Sequence, residues 1–341
     1  MRAMVQTGFG GVDVVRLSQL PDPAPGPAEV VIRVHSAALN QLDLLQRRGT
    51  TRLPGFRLPH VGGMDVAGEV AAVGVEVTTV RPGDRVLVDP TIGCHTCPTC
   101  ADGDPGNCPA LAVVGGNRPG GFAEYVSVPA TVTHRLPAHV DLAEAAALPT
   151  AWSLAWHAVQ RVGAVAAGET VLIHGAASAV SVAAIQLARR AGAQVIATGR
   201  TEAKRALAAE LGADAVRGDE QTVTEVRERT GGHGVDVVID HVGSATWPTS
   251  LASLRRGGRL VLLGNTTGDQ VSFSLADVYR RGLRLLGAGA YTPADFAAML
   301  DAYLAGGLRV VRAAEYPLAE LPAAYRRQET GDALGKILVR P

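Results

Sequence analysis

TVLIHGAASAVS, residues 170–181, runs from a short apolar strand through a glycine turn into the start of a helix. Strands of the same kind recur, each followed by an alanine-rich or turn-rich segment: Gln194–Thr198, Val235–Asp240, Arg259–Leu263 and Leu283–Leu286. Strands that are apolar on both faces and alternate with helices predict an α/β fold with a doubly wound parallel sheet. Helices are expected at Ala179–Ala191, Thr201–Leu211 and Pro149–Val159.

The first 130 residues have a different sequence pattern, in which short β-branched runs alternate with glycine and proline turns. These runs are Val30–Val34, Gly68–Val73 and Arg85–Val88. A chain of 341 residues exceeds the usual size of one hydrophobic core, so we predict a second, β-rich domain. After Tyr291 the sequence favours one more helix, Pro293–Ala305, and two strand-like pieces, Tyr316–Leu318 and Lys336–Val339.

Charge and hydropathy exclude several classes of partner. Lysine plus arginine and aspartate plus glutamate both number 32, without a basic run, so neither nucleic acid nor an anionic membrane is expected to bind. No uncharged apolar run approaches the roughly 20 residues of a membrane span. The N-terminal residues lack the apolar core of a signal peptide. The expected location is cytoplasmic.

All four cysteines lie close together, spaced C-x2-C-x2-C-x7-C, at Cys94, Cys97, Cys100 and Cys108. Short gaps let four thiolates converge on one tetrahedral zinc ion, and a site closed by four protein ligands is structural. The surrounding loop, residues 93–109, is rich in glycine and proline, so a metal would supply folding free energy that apolar burial cannot. Disulfides or unmodified thiols are the alternatives. No cysteine is left for a second, catalytic zinc site.

The turn after the strand at 170–173 lies where a doubly wound fold holds a pyrophosphate on the helix N-terminus. Of the usual glycines only one remains, and alanine and serine stand at the later small positions. The candidate cofactor contacts are Gly175, Ala176, Ser178, Ala179, Val180 and Ser181. The alternative is an ordinary strand-to-helix turn.

The end of the next strand indicates which dinucleotide would bind. An NAD site places Asp or Glu there to hold the ribose hydroxyls, whereas this chain has Gly199 and Arg200, followed by Lys204 and Arg205. Cations at this position favour the 2′-phosphate of NADPH. The alternative is that these side chains form a solvated helix face.

Several motifs together resemble the medium-chain dehydrogenase/reductases of the zinc-containing alcohol dehydrogenase superfamily, most of all their quinone oxidoreductase and enoyl-reductase branch. They span nearly the whole chain: Phe9–Gly11, Ala37–Asp43, Gly62–Gly68, Arg81–Val86, Gly120–Tyr125, Gly257–Val261 and Gly335–Ile337. The resemblance implies a GroES-like catalytic domain at 1–130 and 291–341 and a Rossmann-type nucleotide-binding domain at 131–290. It also implies a homodimer formed by edge pairing through Leu283–Leu286. Further cofactor contacts are expected at the ends of later strands, from Gly243, Gly264, Asn265 and Thr266.

The chain departs from the family where a catalytic zinc would be held. The corresponding positions carry Ala38 or Leu39, Met64 with Asp65, and the vicinity of Pro149 and Thr150, which do not form a zinc site. Ordinary zinc-promoted alcohol oxidation is therefore not expected.

The zinc-free branch implies a role for Asn40 and Asp43 near the nicotinamide, although the two residues also suit a turn and a helix cap. The tyrosines of that branch are replaced by Leu45 and Thr51. The proton donor is therefore open among water, Thr150, His241 and Tyr291, and His241 alternatively packs inside the fold.

These patterns predict an NADPH-dependent oxidoreductase that reduces an activated C=C or C=O of quinone, enone or enoyl type. The expected substrate is a small, largely apolar molecule in the cleft between the domains. Its oxygen would be held by hydrogen-bond donors such as Asn40 and by the cofactor ribose rather than by a metal. The alternatives are a redox-neutral isomerase or cyclase, and a cofactor-sensing protein without chemistry.

Overall fold

A computed structural model describes residues 1–341 of the chain. The chain forms two compact units. The first unit comprises Met1–Thr150 together with Arg312–Pro341, and the second unit comprises Ala151–Val311. These units are limited at 150 and 311, whereas the resemblance implied limits at 130 and 290.

The shift in both limits has a structural reason. Residues beyond 130 still pair in the first unit, where Thr133 lies opposite Val88. Residues beyond 291 still belong to the second unit, where Asp295 bonds to the ring of His157 at 2.7 Å. Neither contact has a local sequence signal.

The strands and helices follow one another along the chain, and the expected elements are present. The strands are β1 (Arg2–Gln6), β2 (Val15–Gln19), β3 (Glu29–Ala38), β4 (His60–Val61), β5 (Asp65–Val73), β6 (Arg85–Val88), β7 (Thr91–Ile92), β8 (Ala112–Val113), β9 (Tyr125–Pro129), β10 (Thr133–Arg135), β11 (Thr170–Ile173), β12 (Gln194–Gly199), β13 (Asp214–Arg217), β14 (Val235–Asp240), β15 (Leu254–Leu262), β16 (Arg284–Gly287), β17 (Arg312–Pro317) and β18 (Lys336–Arg340). The helices are α1 (Gln41–Arg48), α2 (Pro98–Ala101), α3 (Leu142–Ala145), α4 (Pro149–Trp156), α5 (Ala179–Arg190), α6 (Glu202–Glu210), α7 (Thr222–Arg229), α8 (Trp247–Ser253), α9 (Leu275–Arg281), α10 (Pro293–Leu304) and α11 (Leu321–Glu329). None of these helices has the length and apolar character needed to cross a membrane.

The first unit is built on a mainly antiparallel sheet in the order β10-β6-β5-β3-β18-β17, with β9 also pairing β3. The apolar residues of these strands form one buried core with β1 and α11. The end of β3 lies between two partners, since Ala38 is opposite Asp65 of β5 and Leu338 of β18. This register brings the start of β5 and the C-terminal strand to the same place.

The second unit contains six parallel strands in the order β13-β12-β11-β14-β15-β16. This confirms the predicted α/β class and the parallel sheet. β11 and β14 are neighbours although they are not consecutive, so the strand order reverses there, and the carboxyl end of such a reversal is where ligands bind in open sheets. The sequence did not predict β13 or α7, because their charged residues hide the apolar pattern.

One predicted helix differs in form. The helix expected at Pro149–Val159 is α-helical only to Trp156 and continues as a π-helical segment, His157–Val162. The change begins at His157, whose ring bonds to Asp295 and to the carbonyl oxygen of Ala288. Tertiary bonds thus fix the helix geometry at this point.

Candidate active site

A buried polar cluster lies in the first unit where β3, β5 and β18 meet. Lys336, at the start of β18, is 4 % exposed as a side chain, and Asp65, at the start of β5, is fully buried. The Nζ atom of Lys336 lies 2.8 Å from Oδ2 of Asp65 and 2.5 Å from Oδ1 of Asn40. An ammonium group and a carboxylate thus neutralise each other inside the unit.

Asp65 is also bound on its other oxygen. Its Oδ1 accepts hydrogen bonds from the backbone N–H of Thr150 at 3.0 Å and from the Thr150 hydroxyl at 2.5 Å. The hydroxyl proton of Thr150 is therefore committed to Asp65. This arrangement holds Thr150 in the cluster and gives it a structural role towards the carboxylate.

Asp43, in the first turn of α1, bonds to the backbone on this side of the cluster. Its Oδ2 accepts from the backbone N–H of Asn40 at 2.8 Å, and its Oδ1 accepts from the N–H of Gly63 at 3.2 Å. A carboxylate at the third helical position that binds the N-cap residue is half of a capping box. Burial raises the pKa of Asp43 to about 7, against the lowering effect of these two hydrogen bonds.

The amide of Asn40 carries an unsatisfied hydrogen-bond donor. The residue is 9 % exposed, and its Nδ2 atom is buried without a hydrogen-bond partner. Because a lysine ammonium only donates hydrogen bonds, the oxygen of the amide must face Lys336, which leaves the NH2 group on the other side. An unpaired buried donor is uncommon in proteins and suits a ligand oxygen.

The cluster joins three of the residues predicted from sequence, Asn40, Asp43 and Thr150, through two that were missed. Lys336 and Asp65 were not predicted as site residues. The available signal was a lysine directly before the three apolar residues of the strand KILVR. Its partner Asn40 lies 296 positions away, so no local pattern relates the two residues.

In the second unit, the turn between β11 and α5 has the form expected of a phosphate-binding turn. Gly175 has a φ of +67°, and a side chain there would meet the ring of His241. Ser178 is the N-cap of α5 and accepts from the N–H of Ser181 at 3.1 Å. The neighbouring Ala176, Ala179 and Val180 complete the turn, so the fold places all six predicted turn residues together.

His241 lies directly against this turn. Its Nε2 atom is 3.0 Å from the hydroxyl of Ser178 and 2.9 Å from that of Ser181. Burial lowers the pKa of His241, which favours the neutral ring. The residue therefore organises the serines that replace the usual glycines.

Below this turn, a second histidine is wholly internal. His174 is 1 % exposed and binds the hydroxyls of Ser250 at 3.0 Å and Thr198 at 3.3 Å. Burial lowers its pKa to about 4. Ser250 in turn donates to Asp240 at 2.7 Å. This network of a neutral histidine, two hydroxyls and a carboxylate ties β11, β12, β14 and α8 together beneath the turn.

The other predicted cofactor residues gather at the same carboxyl edge of the sheet. Gly199 ends β12, Arg200 follows it as an exposed side chain, and Lys204 lies in α6. The loops after β14 and β15 touch each other: a side chain on Gly243 would meet Asn265, one on Gly264 would meet His241, and Thr266 donates to the carbonyl of His241 at 3.1 Å. The N-terminus of α5, the glycines at the strand ends and the exposed cation of Arg200 together fit a dinucleotide.

Tyr291, the last predicted proton donor, is buried in the second unit. It is 5 % exposed, and its ring lies 6.3 Å from that of Phe296. Its surroundings are those of a core aromatic side chain.

The four cysteines come together as the sequence predicted. Their Sγ atoms all lie within 4.8 Å of one another, with Cys94 and Cys100 at 3.9 Å and Cys97 and Cys108 at 3.8 Å. Four thiolates about 2.3 Å from one tetrahedral ion would be separated by about 3.8 Å. No disulfide joins them. The donor set and its spacing therefore fit a structural zinc ion.

Two family descriptions match the chain. The alcohol dehydrogenase GroES-like domain matches residues 26–138, and the zinc-binding dehydrogenase family matches residues 179–305. The first match falls in the first unit and the second match falls in the second unit.

Characterised relatives cover almost the whole chain. It is 30 % identical to an acryloyl-coenzyme A reductase from Sulfurisphaera tokodaii, over 96 % of this chain and 96 % of the relative. It is 29 % identical to a quinone oxidoreductase from Lama guanicoe, over 99 % of this chain and 97 % of the relative.

Solved structures agree with the sequence matches. An NAD-dependent alcohol dehydrogenase superimposes with a TM-score of 0.96 at 37 % identity, covering 100 % of both chains. A zinc-binding dehydrogenase from Sinorhizobium meliloti bound to NADP superimposes with a TM-score of 0.89 at 29 % identity, covering 100 % of this chain and 99 % of the other. The chain thus belongs to the medium-chain dehydrogenase/reductase superfamily, in its quinone oxidoreductase and enoyl-reductase-like branch, and is an oxidoreductase of that type.

Proposed function

We propose that the protein is an NADPH-dependent reductase of an activated C=C or C=O, of quinone, enone or enoyl type, that works without a catalytic zinc ion. The observation that carries this proposal is the buried, unpartnered Nδ2 of Asn40, held on its oxygen side by Lys336. The relatives named as quinone oxidoreductase and acryloyl-coenzyme A reductase support this reaction class.

The bound nicotinamide would supply a hydride to the substrate. Negative charge then develops on the substrate oxygen, and a fixed donor aimed at that charge lowers the barrier. Asn40 provides such a donor through its NH2 group. Asp43 holds the backbone of Asn40, so the amide stays in place during the reaction.

Water is the proton source that we favour. The hydroxyl of Thr150 donates to Asp65, the ring of His241 faces two serine hydroxyls, and Tyr291 is buried beside Phe296. Each side chain predicted as a donor is thus placed by other contacts. A proton from solvent needs none of them.

The donor chemistry near Met64 and Asp65 argues against a catalytic zinc. A thioether is a poor zinc ligand. The Oδ1 atom of Asp65 accepts from Thr150, and its Oδ2 atom lies in the ion pair with Lys336. The ammonium group of Lys336, 2.8 Å from the carboxylate, would repel a divalent cation. The positive charge beside Asp65 is thus supplied by the Lys336 side chain.

NADPH is the proposed cofactor rather than NADH. Arg200 follows directly after β12, is exposed, and forms no ion pair, so its guanidinium is available for a 2′-phosphate. A related structure contains NADP, whereas another neighbour is named as NAD-dependent. The residues at the end of β12 therefore decide the preference.

One structural zinc ion per chain is the proposed occupant of the four cysteines. Their loop lacks an apolar core of its own, so the ion would fix it. Metal-binding thiolates also fit the reducing conditions of the cytoplasm, where we expect the protein to act.

A homodimer formed through the edge of the parallel sheet is the proposed assembly. β16 is the outer strand, and its main-chain groups are unpaired on one side. Large apolar side chains are exposed nearby: Val271, Phe273, Leu275 and Tyr279. Light scattering of the purified protein tests this, and a monomer at all concentrations would contradict it.

The function is tested by mixing the protein and NADPH with an enone, a 2-alkenoyl thioester, a quinone and an aldehyde. We expect NADPH oxidation with at least one acceptor and a loss of about 100- to 1000-fold in kcat for Asn40→Ala. NADPH binding without oxidation would favour a sensing role. Conversion of an acceptor without NADPH consumption would indicate the isomerase or cyclase alternative.

A further inference from the structure

We propose that Lys336 is a positioning residue that orients and polarises the amide of Asn40, in place of the metal that activates substrate oxygens elsewhere in the superfamily. The inference rests on the proposed function, because it assigns how the donor of that site is held. The bond from Lys336 Nζ to Asn40 Oδ1, 2.5 Å long, is its starting point.

The orientation follows from hydrogen-bond chemistry. An amide side chain can flip by half a turn, which exchanges its oxygen and its NH2 group. An ammonium group has three donors and no acceptor, so only the oxygen can face it. Lys336 therefore keeps the NH2 group on the opposite side, where Nδ2 has no protein partner.

The backbone holds the two residues in register. The N–H of Leu39 bonds to the carbonyl of Ile337 at 2.9 Å, and Leu338 lies opposite Ala38. The residue before Asn40 and the residue after Lys336 are thus joined directly. The lysine side chain reaches the amide from a rigid strand.

The charge on Lys336 also changes the strength of the Asn40 amide as a hydrogen-bond donor. A hydrogen bond from an ammonium to an amide oxygen draws electron density from the NH2 group and strengthens it as a donor. Asp65, itself held by the hydroxyl of Thr150, forms the ion pair that keeps the ammonium in place. The pair remains neutral overall, so the lysine can stay buried.

The test uses paired substitutions, because removing Lys336 alone would leave Asp65 as an unpaired buried charge. The wild type is the reference protein, and the double variant Asp65→Asn with Lys336→Met removes the bond to Asn40 together with both charges of the buried pair. We expect kcat to fall about 10- to 100-fold relative to the reference, with the KM of the acceptor and the Kd of NADPH changed less than about twofold. Lys336→Arg, which keeps a cation beside Asp65, should retain most of the activity of the reference.

Asn40→Ala supplies the decisive control. If Lys336 acts through Asn40, the paired substitution Asp65→Asn with Lys336→Met has no further effect on kcat once the amide is gone. Losses that multiply would overturn the inference, as would a raised Kd of NADPH with an unchanged kcat, which would assign Lys336 to the cofactor.

A spectroscopic readout separates this inference from the proposed reaction. The side-chain NH2 resonances of Asn40 in the cofactor-free protein should shift between the reference and the double variant Asp65→Asn with Lys336→Met, and Lys336→Arg should shift them less. Unchanged resonances would overturn the inference. If no acceptor is reduced but the resonances shift, the proposed reaction fails while the positioning by Lys336 stands.

Discussion

Lys336 and Asp65 form an ion pair of 2.8 Å with side chains that are 4 % and 0 % exposed. Removing one partner of a buried pair leaves a charge without compensation, which typically costs about 3–5 kcal/mol. We expect Lys336→Met to lower the free energy of unfolding by about this amount, as measured by urea denaturation. Adding Asp65→Asn should restore part of the loss, and a double variant no more stable than the single one would contradict the pairing.

Zinc content tests the cysteine cluster. Elemental analysis should find about one zinc per chain in the wild type and none in Cys97→Ser, since three thiolates hold the ion far less tightly. Thermal unfolding should occur at a lower temperature in that variant. Asp102→Asn, which changes an exposed side chain of the same loop and leaves the four Sγ atoms in place, is the matched control. Two zinc ions per chain would contradict the absence of a catalytic zinc.

The dinucleotide preference should depend on Arg200. We expect Arg200→Ala to raise the Kd of NADPH about tenfold and to leave the Kd of NADH unchanged, because only the 2′-phosphate would lose a charged partner. Fluorescence titration measures both constants. Arg229→Ala, which removes an exposed arginine from α7, serves as a control and should affect neither. Equal affinity of the wild type for both cofactors would refute the assignment.

His174 should make stability depend on pH in the acidic range. Its folded-state pKa of about 4 lies below the ordinary value of about 6.5, so the unfolded chain binds more protons between these values. Stability is therefore lost as the pH falls from about 6.5 to about 4, by about 3 kcal/mol. His174→Gln, which cannot titrate, should remove this slope in denaturation curves taken across the range. An unchanged slope would show that another group is responsible.

Asp43 should make stability depend on pH with the opposite sign to His174. Its folded-state pKa of about 7 lies above the ordinary value of about 3.9, so the folded protein binds more protons in between. Stability from this group falls as the pH rises from about 4 to about 7, by about 4 kcal/mol. The stability of the wild type relative to Asp43→Asn should decline over that range. Parallel curves for the two proteins would exclude the raised pKa.

The nucleotide-binding turn shows how far sequence patterns reach. Apolar strands and a helix N-terminus are local features, so the turn from Gly175 to Ser181 and the strand ends at Gly199 and Gly243 could be predicted. The position of His241 beside a strand end could also be predicted. The contact of its ring with Ser178 and Ser181 could not be predicted, because these residues are 63 and 60 positions away in the sequence.

The cluster in the first unit marks the limit of such predictions. Asn40 and Asp43 were identified through family resemblance, and their alternative role at the start of a helix is also present, since Asp43 binds the backbone of Asn40. Lys336 and Asp65 were missed. Each belongs to a strand whose own pattern says nothing about its neighbour across the sheet.

The sequence by itself determined the parallel sheet, the cysteine cluster and the family, because periodicity, spacing and turn residues act over a few positions. Only the tertiary structure decided that a lysine near the C-terminus meets Asp65 and Asn40. The reason is physical: strand register sets which distant side chains share a buried space, and in that space an unpaired charge or amide is costly enough to fix its partners.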